Sequence, residues 1–337
     1  METEEKKTAR PEWIGIISKY NKPDHLRSWW QVINSVGPYL LLWYLMVRSL
    51  EVSYWLTLAL SVLAAGFLVR TFIIFHDCGH GSFFRTKRLN TIVGIFTGLL
   101  VFTPYHRWHH DHHIHHQTVG NLDKRGIGDV KTLTVTEYEN LSKWQRFVYR
   151  LYRHPVFLLG IAPILLFVVL FRFTKSYMTT REKLYVHLTN LALAVMVALA
   201  VWAIGWKAYL MIQLPVLYVA TVHGVWLFYV QHQFRHVIWT DSGSWDYKTM
   251  ALNGSSLFRL PRLLNWFTGN IGYHHIHHLS PAIPNYNLKR CHQENELFRE
   301  VKPITFMSAF DTLMLRLWDE KRERLISFRE RYRVAGN

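Results

Sequence analysis

Only two cysteines, Cys78 and Cys291, occur in 337 residues, so a disulfide framework is excluded and a reducing compartment is expected. No glycine-rich dinucleotide fingerprint, haem motif or cysteine set for an iron–sulfur cluster is present, which excludes the common built-in electron carriers. Acidic side chains are scarce. The chain has 23 Asp and Glu against 39 Lys and Arg, a formal net charge of +16. That balance suits anionic lipid or an acidic protein. No nucleic-acid-binding motif accompanies it, so no nucleic-acid partner is expected. The first 28 residues are polar and mixed in charge, without the pattern of a cleavable signal peptide. There is no low-complexity linker and no long internal repeat, and one domain is expected.

What the chain does have is apolar sequence gathered into blocks. Half its residues are apolar, including 14 Trp, 17 Tyr and 20 Phe, and the charges lie between the blocks, as in a membrane protein. Runs at 29–47, 53–75, 186–204 and 209–231 approach the ~20 residues needed to span a hydrocarbon core. Residues 91–103 would reach only about 20 Å as a helix. Residues 156–172 are broken by Pro163, and as a crossing they would put Lys175, Arg181 and Lys183 on the far side. The expected fold is therefore all-α and integral to the membrane. Four transmembrane helices form two hairpins, joined by interfacial helices and a cytosolic helical cap. Nearly all Lys and Arg, and both termini, then fall on the cytosolic face. The expected boundaries are a cytosolic segment at 1–28, a membrane domain at 29–304 and a cytosolic C-terminal helix at 305–337.

The chain also carries 20 histidines, and thirteen of them lie within 76–80, 106–116 and 274–278. His76 and His80, spaced i, i+4, share a helical face about 6 Å apart along the axis; alone, that pair suits a structural role equally. Three overlapping H-x-x-H-H registers begin at His106, His109 and His112. The segment His274–His278 repeats residues 112–116 letter for letter, which selects the third register. In each pentapeptide, positions 1, 4 and 5 fall within an arc of about 100° on a helix. The candidate ligands are thus His76, His80, His112, His115, His116, His274, His277 and His278. Eight imidazoles exceed one zinc site and suit two metals among Fe, Zn, Cu or Ni. His232 ends the fourth apolar run as His76 ends the second, and is a ninth candidate; a surface histidine in a polar turn is the alternative. His113 and His275 point elsewhere, and His106, His109 and His110 stand outside the chosen register.

Asp77, Asp111 and Asp123 are candidates to orient ligand imidazoles through N–H···O bonds, with solvated turns as the alternative. Asn270, four residues before His274, is a candidate to hold a metal-bound water. Arg70 and His223 lie inside apolar runs, where ionisable groups are expensive. Arg70 is close enough to the run's end to snorkel, and His223 suits an interhelical hydrogen bond. Cys78 reads as a small packing residue.

Taken together, H-D-C-G-H-G-S-F-F at 76–84, H-H-I-H-H with T-V-G-N-L-D-K-R-G-I-G-D-V at 112–130, Q-H-Q-F at 231–234 and G-N-I-G-Y-H-H-I-H-H-L-S-P-A-I-P-N-Y-N-L at 269–288 resemble the membrane fatty acid desaturase family. The resemblance covers roughly residues 50–300 and is nearest the omega-6 (delta-12) acyl-lipid branch. It implies four spans capped by a cytosolic domain, with two non-haem irons held by the nine histidines named above. It supports the register beginning at His112 and the inclusion of His232. The implied reaction uses O2 to remove two hydrogens from adjacent methylenes, giving a cis double bond in a lipid-linked acyl chain, with no catalytic side chain beyond the metal ligands. Its electrons would come from a separate ferredoxin or cytochrome-b5-like donor. A delta-9 phospholipid desaturase and a di-iron alkane or carotenoid hydroxylase or ketolase are the alternative readings. A histidine surface for metal transport would instead put ligands at mid-membrane.

Overall fold

The structure is a computed structural model describing residues 11–332. Residues 1–10 of the expected N-terminal segment and 333–337 of the expected C-terminal helix lie outside the described residues. A short α1 (Glu12–Ser18) precedes α2 (His25–Ser49), whose first turn is capped by the Asp24 carboxylate, which accepts from Leu26 N at 2.9 Å and Arg27 N at 3.1 Å. A tight turn leads into α3 (Tyr54–His80), and the Ser49 and Thr57 hydroxyls meet at 2.8 Å beside it, so the two helices form a hairpin. At its far end α3 stops where Gly81 takes φ +70°, a left-handed cap open to glycine at little cost.

The chain then dips back into the apolar layer as α4 (Lys87–Leu100), turns by 102° and leaves as α5 (Tyr105–Thr118). Phe102 at φ +56° and Pro104 make this corner. Gly94 lets the Tyr105 ring lie against α4, since a Cβ there would stand 2.2 Å from the ring. The Tyr105 hydroxyl donates to the Cys78 carbonyl at 2.7 Å. The end of α3 and the start of α5 are thereby held together, and with them the first two histidine segments.

After α6 (Val135–Glu139) and the amphipathic α7 (Lys143–Tyr152), residues 156–172 form an irregular helical run. Two π-helical stretches, Val156–Ile161 and Leu165–Val169, flank a short α8 (Ala162–Ile164) containing Pro163. A Thr179–Glu182 capping box then starts α9 (Thr180–Ile204), and Gly205 at φ +81° separates it from α10 (Trp206–His232). Exposed Leu184, Leu188, Leu191, Val195, Leu199 and Trp202 recur at helical spacing along α9. Water would penalise that stripe, whereas lipid accepts it.

By length and apolar composition α3, α9 and α10 qualify as membrane crossings, or up to five do if each of two bent pairs counts as one. Of the four expected spans, the first lies within α2, which is long enough but carries Gln31, Asn34 and Ser35 near its start. Residues 91–103 do not cross on their own, and 156–172 follow α7 with a 54° bend.

The remainder caps the bundle at the ends of α3 and α10. It comprises α11 (Tyr247–Asn253), α12 (Arg262–Phe267), α13 (His274–Leu279), α14 (Asn285–Glu294) and two small sheets. Strands β1 (Leu133–Thr134), β4 (Leu317–Asp319) and β5 (Arg324–Ile326) form one sheet, parallel then antiparallel. Strands β2 (Leu257–Arg259) and β3 (Pro303–Thr305) pair in parallel, with Phe258 opposite Ile304. The single C-terminal helix expected from residue 305 is not formed. Leu317, Trp318, Leu325 and Ile326 are buried in a β-hairpin, and helix returns only in α15 (Phe328–Tyr332). The Asp319 carboxylate accepts from Lys321 N and Arg322 N, and Glu323 sits at φ +47°. The charges that read as a helix's polar face are those of this turn.

Candidate metal centre

The folding rules above bring four separate segments to one point. His76 and His80 stand in the last turn of α3 and His232 at the end of α10; α5 and α13 supply the others. In α13 the pentapeptide is a single six-residue helix whose residues are all buried. It is fixed from outside by the Tyr247 hydroxyl, which donates to the His278 carbonyl at 2.7 Å. Behind it Ile276, Leu279, Ile283 and Leu288 pack with Ile17 of α1.

All nine histidines named from the sequence come together in two groups. His76, His80, His112, His116 and His277 form one, and His115, His232, His274 and His278 the other; within each group the ligand atoms all lie within 4.8 Å of one another. In the first, the Nε2 atoms of His76 and His112 are 3.1 Å apart, those of His112 and His116 3.1 Å, and those of His116 and His277 3.0 Å. In the second, His115 and His232 are 3.2 Å apart, His232 and His274 3.0 Å, and His274 and His278 3.1 Å.

Hydrogen bonding alone does not account for these contacts. A neutral Nε2 carries either one proton or one in-plane lone pair. His112, His116, His232 and His274 each meet two neighbours through that one nitrogen, and His80 Nε2 is buried with no hydrogen-bond partner. Nitrogens at right angles on one ion ~2.1 Å away stand about 3 Å apart. The donor set therefore fits two cations, one per group. Burial, the largest cause, holds His274, His277 and His278 well below the ordinary imidazole range, and neighbouring histidines push the same way. Neutral rings with free lone pairs are what a metal requires.

Carboxylates set two of the rings. Asp77 Oδ1 is 3.0 Å from His76 Nδ1, and its other oxygen accepts from Asn285 N at 2.6 Å and Asn285 Nδ2 at 2.9 Å. Asp129 Oδ1 is 2.6 Å from His115 Nδ1. Each acid thereby fixes the proton on Nδ1 and turns Nε2 inward. Asp129 was not among the candidates. Gly126 and Gly128, both at positive φ, turn the loop back against α5 and so bring Asp129 to His115. Of the other residues expected to support the ligands, Asp111 accepts from Tyr177 OH at 2.7 Å and pairs with Arg107, Asp123 accepts from Ser242 N at 2.8 Å, and Asn270 bonds Asn265 and Asn285. None of these three bonds a histidine of the cluster: Asp111 and Asp123 are turned to neighbouring loops and Asn270 to α12 and α14.

The extra histidines stay outside. His106 stacks on Tyr185, His110 Nδ1 meets Glu182 at 2.7 Å, His109 stacks with His113, and His275 meets His292 at 3.2 Å. The Arg70 guanidinium bonds the Trp266 carbonyl of α12 and lies 4.0 Å over the Trp266 ring. His223 packs against Trp226. Cys78 is a buried packing residue with a free thiol.

Beside the first group opens a cavity of about 580 Å³. His76, His112 and His274 lie on its wall, and Leu68, Phe72 and Leu217 continue it between α3 and α10. Trp108 borders it and stacks on His112 at 4.2 Å. Three of the nine imidazoles, His76, His112 and His274, thus face a largely apolar cavity, so metal held by the cluster would stand beside whatever hydrocarbon the cavity takes.

Comparison with known proteins decides the family. The fatty acid desaturase model matches residues 53–307. The chain belongs to the fatty acid desaturase family. It is 46% identical over 313 residues to a fatty acid desaturase of Bacillus subtilis (strain 168), covering 93% of this chain and 89% of the relative. An sn-1 acyl-lipid omega-3 desaturase (ferredoxin) of Synechocystis is 29% identical over 69% of this chain and 64% of its own length. A chloroplastic omega-6 fatty acid desaturase of Brassica napus is 25% identical over 80% of this chain and 60% of its own. As a desaturase the chain is an oxidoreductase with a membrane-embedded fold, and its histidine clusters are compatible with the di-iron centre that the sequence resemblance implies.

Proposed function

We propose that this desaturase holds two iron ions through the nine histidines and introduces a cis double bond into a lipid-linked acyl chain, at the delta-12 (omega-6) position. The carrying observation is the division of nine converging imidazoles into groups of five and four beside the apolar cavity. With O2 and two electrons, the iron pair would supply the oxidant that removes one hydrogen from each of two adjacent methylenes. The protein's own part is positional. Asp77 and Asp129 hold His76 and His115 in one tautomer, Trp108 fixes the His112 ring, and the apolar walls exclude water from the acyl chain.

The electrons come from a separate ferredoxin or cytochrome-b5-like protein drawn to a basic cytosolic face. The positive-inside placement of Lys and Arg and the word "ferredoxin" in the name of the Synechocystis relative support this. The delta-12 position rests on the likeness of the histidine-box flanks to the omega-6 branch. Omega-3 placement is the second reading, favoured by the Synechocystis relative's name. Expression in a host without polyunsaturated lipids, with mass-spectrometric location of new double bonds, tests both. A product 2 mass units lighter with a delta-12 bond is expected; an oxygenated product overturns the desaturase reading, and unsaturation elsewhere overturns the position.

A further inference from the structure

His106, His109, His110 and His113 of α5 take no part in the metal groups, and two of them share an exposed strip. His109 and His113 stand one helical turn apart, both exposed, with ring centres 6.2 Å apart and planes 24° from parallel. Gln117 continues the strip by a further turn, its Nε2 3.0 Å from His113 Nε2. An amide donating there marks a lone pair on His113 that a cation can take instead. The His109 ring stacks on Tyr105 and His113 and hydrogen-bonds no described residue. Such a strip belongs in water, because hydrocarbon would leave its nitrogens unpaired.

The strip adjoins the first metal group. At ~100° per residue, His109 falls about 20° from His116 around the helix axis and His113 about 60° from it, so the pair flanks the ligand face of α5. Gly79 lets α5 approach α3 at this level: a Cβ there would meet Trp108 at 3.0 Å and His109 Cδ2 at 3.9 Å. The next residue is His80, and both outer rings lie close enough to act on it electrostatically. His76, His116 and His277 are buried, whereas His80 is only part-buried, its Nε2 enclosed and without a hydrogen-bond partner. His80 is thus where this group comes nearest to water, and the exposed pair stands beside it.

Two imidazoles one turn apart chelate a divalent metal, but hold it less strongly than five. A weak, open site beside a strong, buried one has a downhill order of occupation. Building on the two-iron reading above, we propose that His109 and His113 form a metal-entry site, which captures ferrous iron from water and passes it by way of His80 to the first group. Only metal–nitrogen bonds are exchanged, and the charge of the ion does not change.

The test follows loading rather than turnover. Full-length apoprotein in detergent is mixed anaerobically with low-micromolar ferrous iron, and chelator-resistant iron is measured against time. His109→Ala/His113→Ala is expected to load roughly tenfold more slowly than wild type, because the ion is no longer concentrated beside His80, and to reach the same two irons per chain. Should the double variant fold poorly, two single variants carry the test. His113→Gln is expected to load slowly, and His113→Glu, which keeps a ligating oxygen, near the wild-type rate. Titration with cobalt(II) should show a third, weaker ion in wild type that the double variant lacks. Wild-type loading rates in the double variant and His113→Gln, or no third cobalt ion in wild type, overturn the inference and leave the two-iron centre standing. Wild-type apoprotein that takes up no chelator-resistant iron at any concentration overturns that centre and this inference with it.

Discussion

Asp129 reaches back fourteen residues to bond His115, its Oδ1 2.6 Å from the imidazole Nδ1. His115 is fully buried and belongs to the four-histidine group, so this carboxylate orients one ligand of the smaller set. Asp129→Ala is expected to weaken metal binding at that group by about 10- to 100-fold. Iron measured after dialysis against a mild chelator should fall from two towards one per chain; retention of both would show that His115 needs no such partner.

The two groups should fail differently. His277→Ala removes one of five nitrogens in the first group, and His232→Ala removes one of four in the second. Both should abolish new unsaturation in cells, with the second variant losing more metal. Unchanged fatty-acid profiles in either would detach that histidine from the centre.

Gly128 sits at φ +74°, and a Cβ there would stand 2.9 Å from both the Asp111 carbonyl oxygen and the His115 Cβ. Gly128→Ala therefore strains the loop that carries Asp129 and is expected to destabilise by about 1–3 kcal/mol. Thermal unfolding in detergent checks this, since a change under ~0.5 kcal/mol would mean that the loop moves freely.

Arg153 is wholly buried and bonds Thr132 Oγ1 at 2.7 Å, Tyr229 OH at 2.9 Å, Gln233 Oε1 at 3.1 Å and the Leu315 carbonyl at 3.0 Å. It ties the loop after Asp129 to the end of α10, next to His232. Arg153→Ala removes these bonds from a buried site, where Leu315 O keeps only Tyr229 OH and Gln233 Oε1 only Thr132 Oγ1, and is expected to cost about 3–5 kcal/mol. A melting temperature within a few degrees of wild type would contradict this.

Acid should unfold the metal-free protein in a particular window. Burial depresses His274, His277 and His278 and takes His275 from 6.5 down to about 3. The unfolded chain thus binds protons that the folded chain refuses. Stability is full above about pH 6.5 and falls as pH drops toward 3, by roughly 1.4 kcal/mol per pH unit for each such histidine. Melts of apoprotein from pH 8 to 5 should show the decline, and metal should oppose it. A flat profile would mean that these rings are solvated.

The histidine constellation was legible because its geometry is local: one pentapeptide on one turn of helix presents three nitrogens, wherever the helix lies. His232 was legible from its place at the end of an apolar run. Of the carboxylates Asp77 was legible, because it adjoins its histidine. Asp129 was not, since it reaches His115 only after two left-handed glycines, and Asp111 and Asp123 turn toward Tyr177 and Ser242. The spans were readable from hydropathy, α2 less so because Gln31, Asn34 and Ser35 interrupt its apolar sequence. The C-terminal hairpin misled for the opposite reason. Its apolar strands are three residues each, too short to show a period of two, while the intervening charges imitate a helix.

Because the first ligand is His76 and the last His278, no shorter stretch of chain can complete both groups, and each needs a histidine of α13. During synthesis α3 and α5 are made long before α13, and His232 arrives only after α9 and α10 have entered the bilayer. Metal capture at full strength must wait for the last membrane segment, which makes the loaded centre a record that insertion has finished. A chain stalled or cut before residue 274 would carry five of the first eight boxed histidines and His232, yet complete neither group.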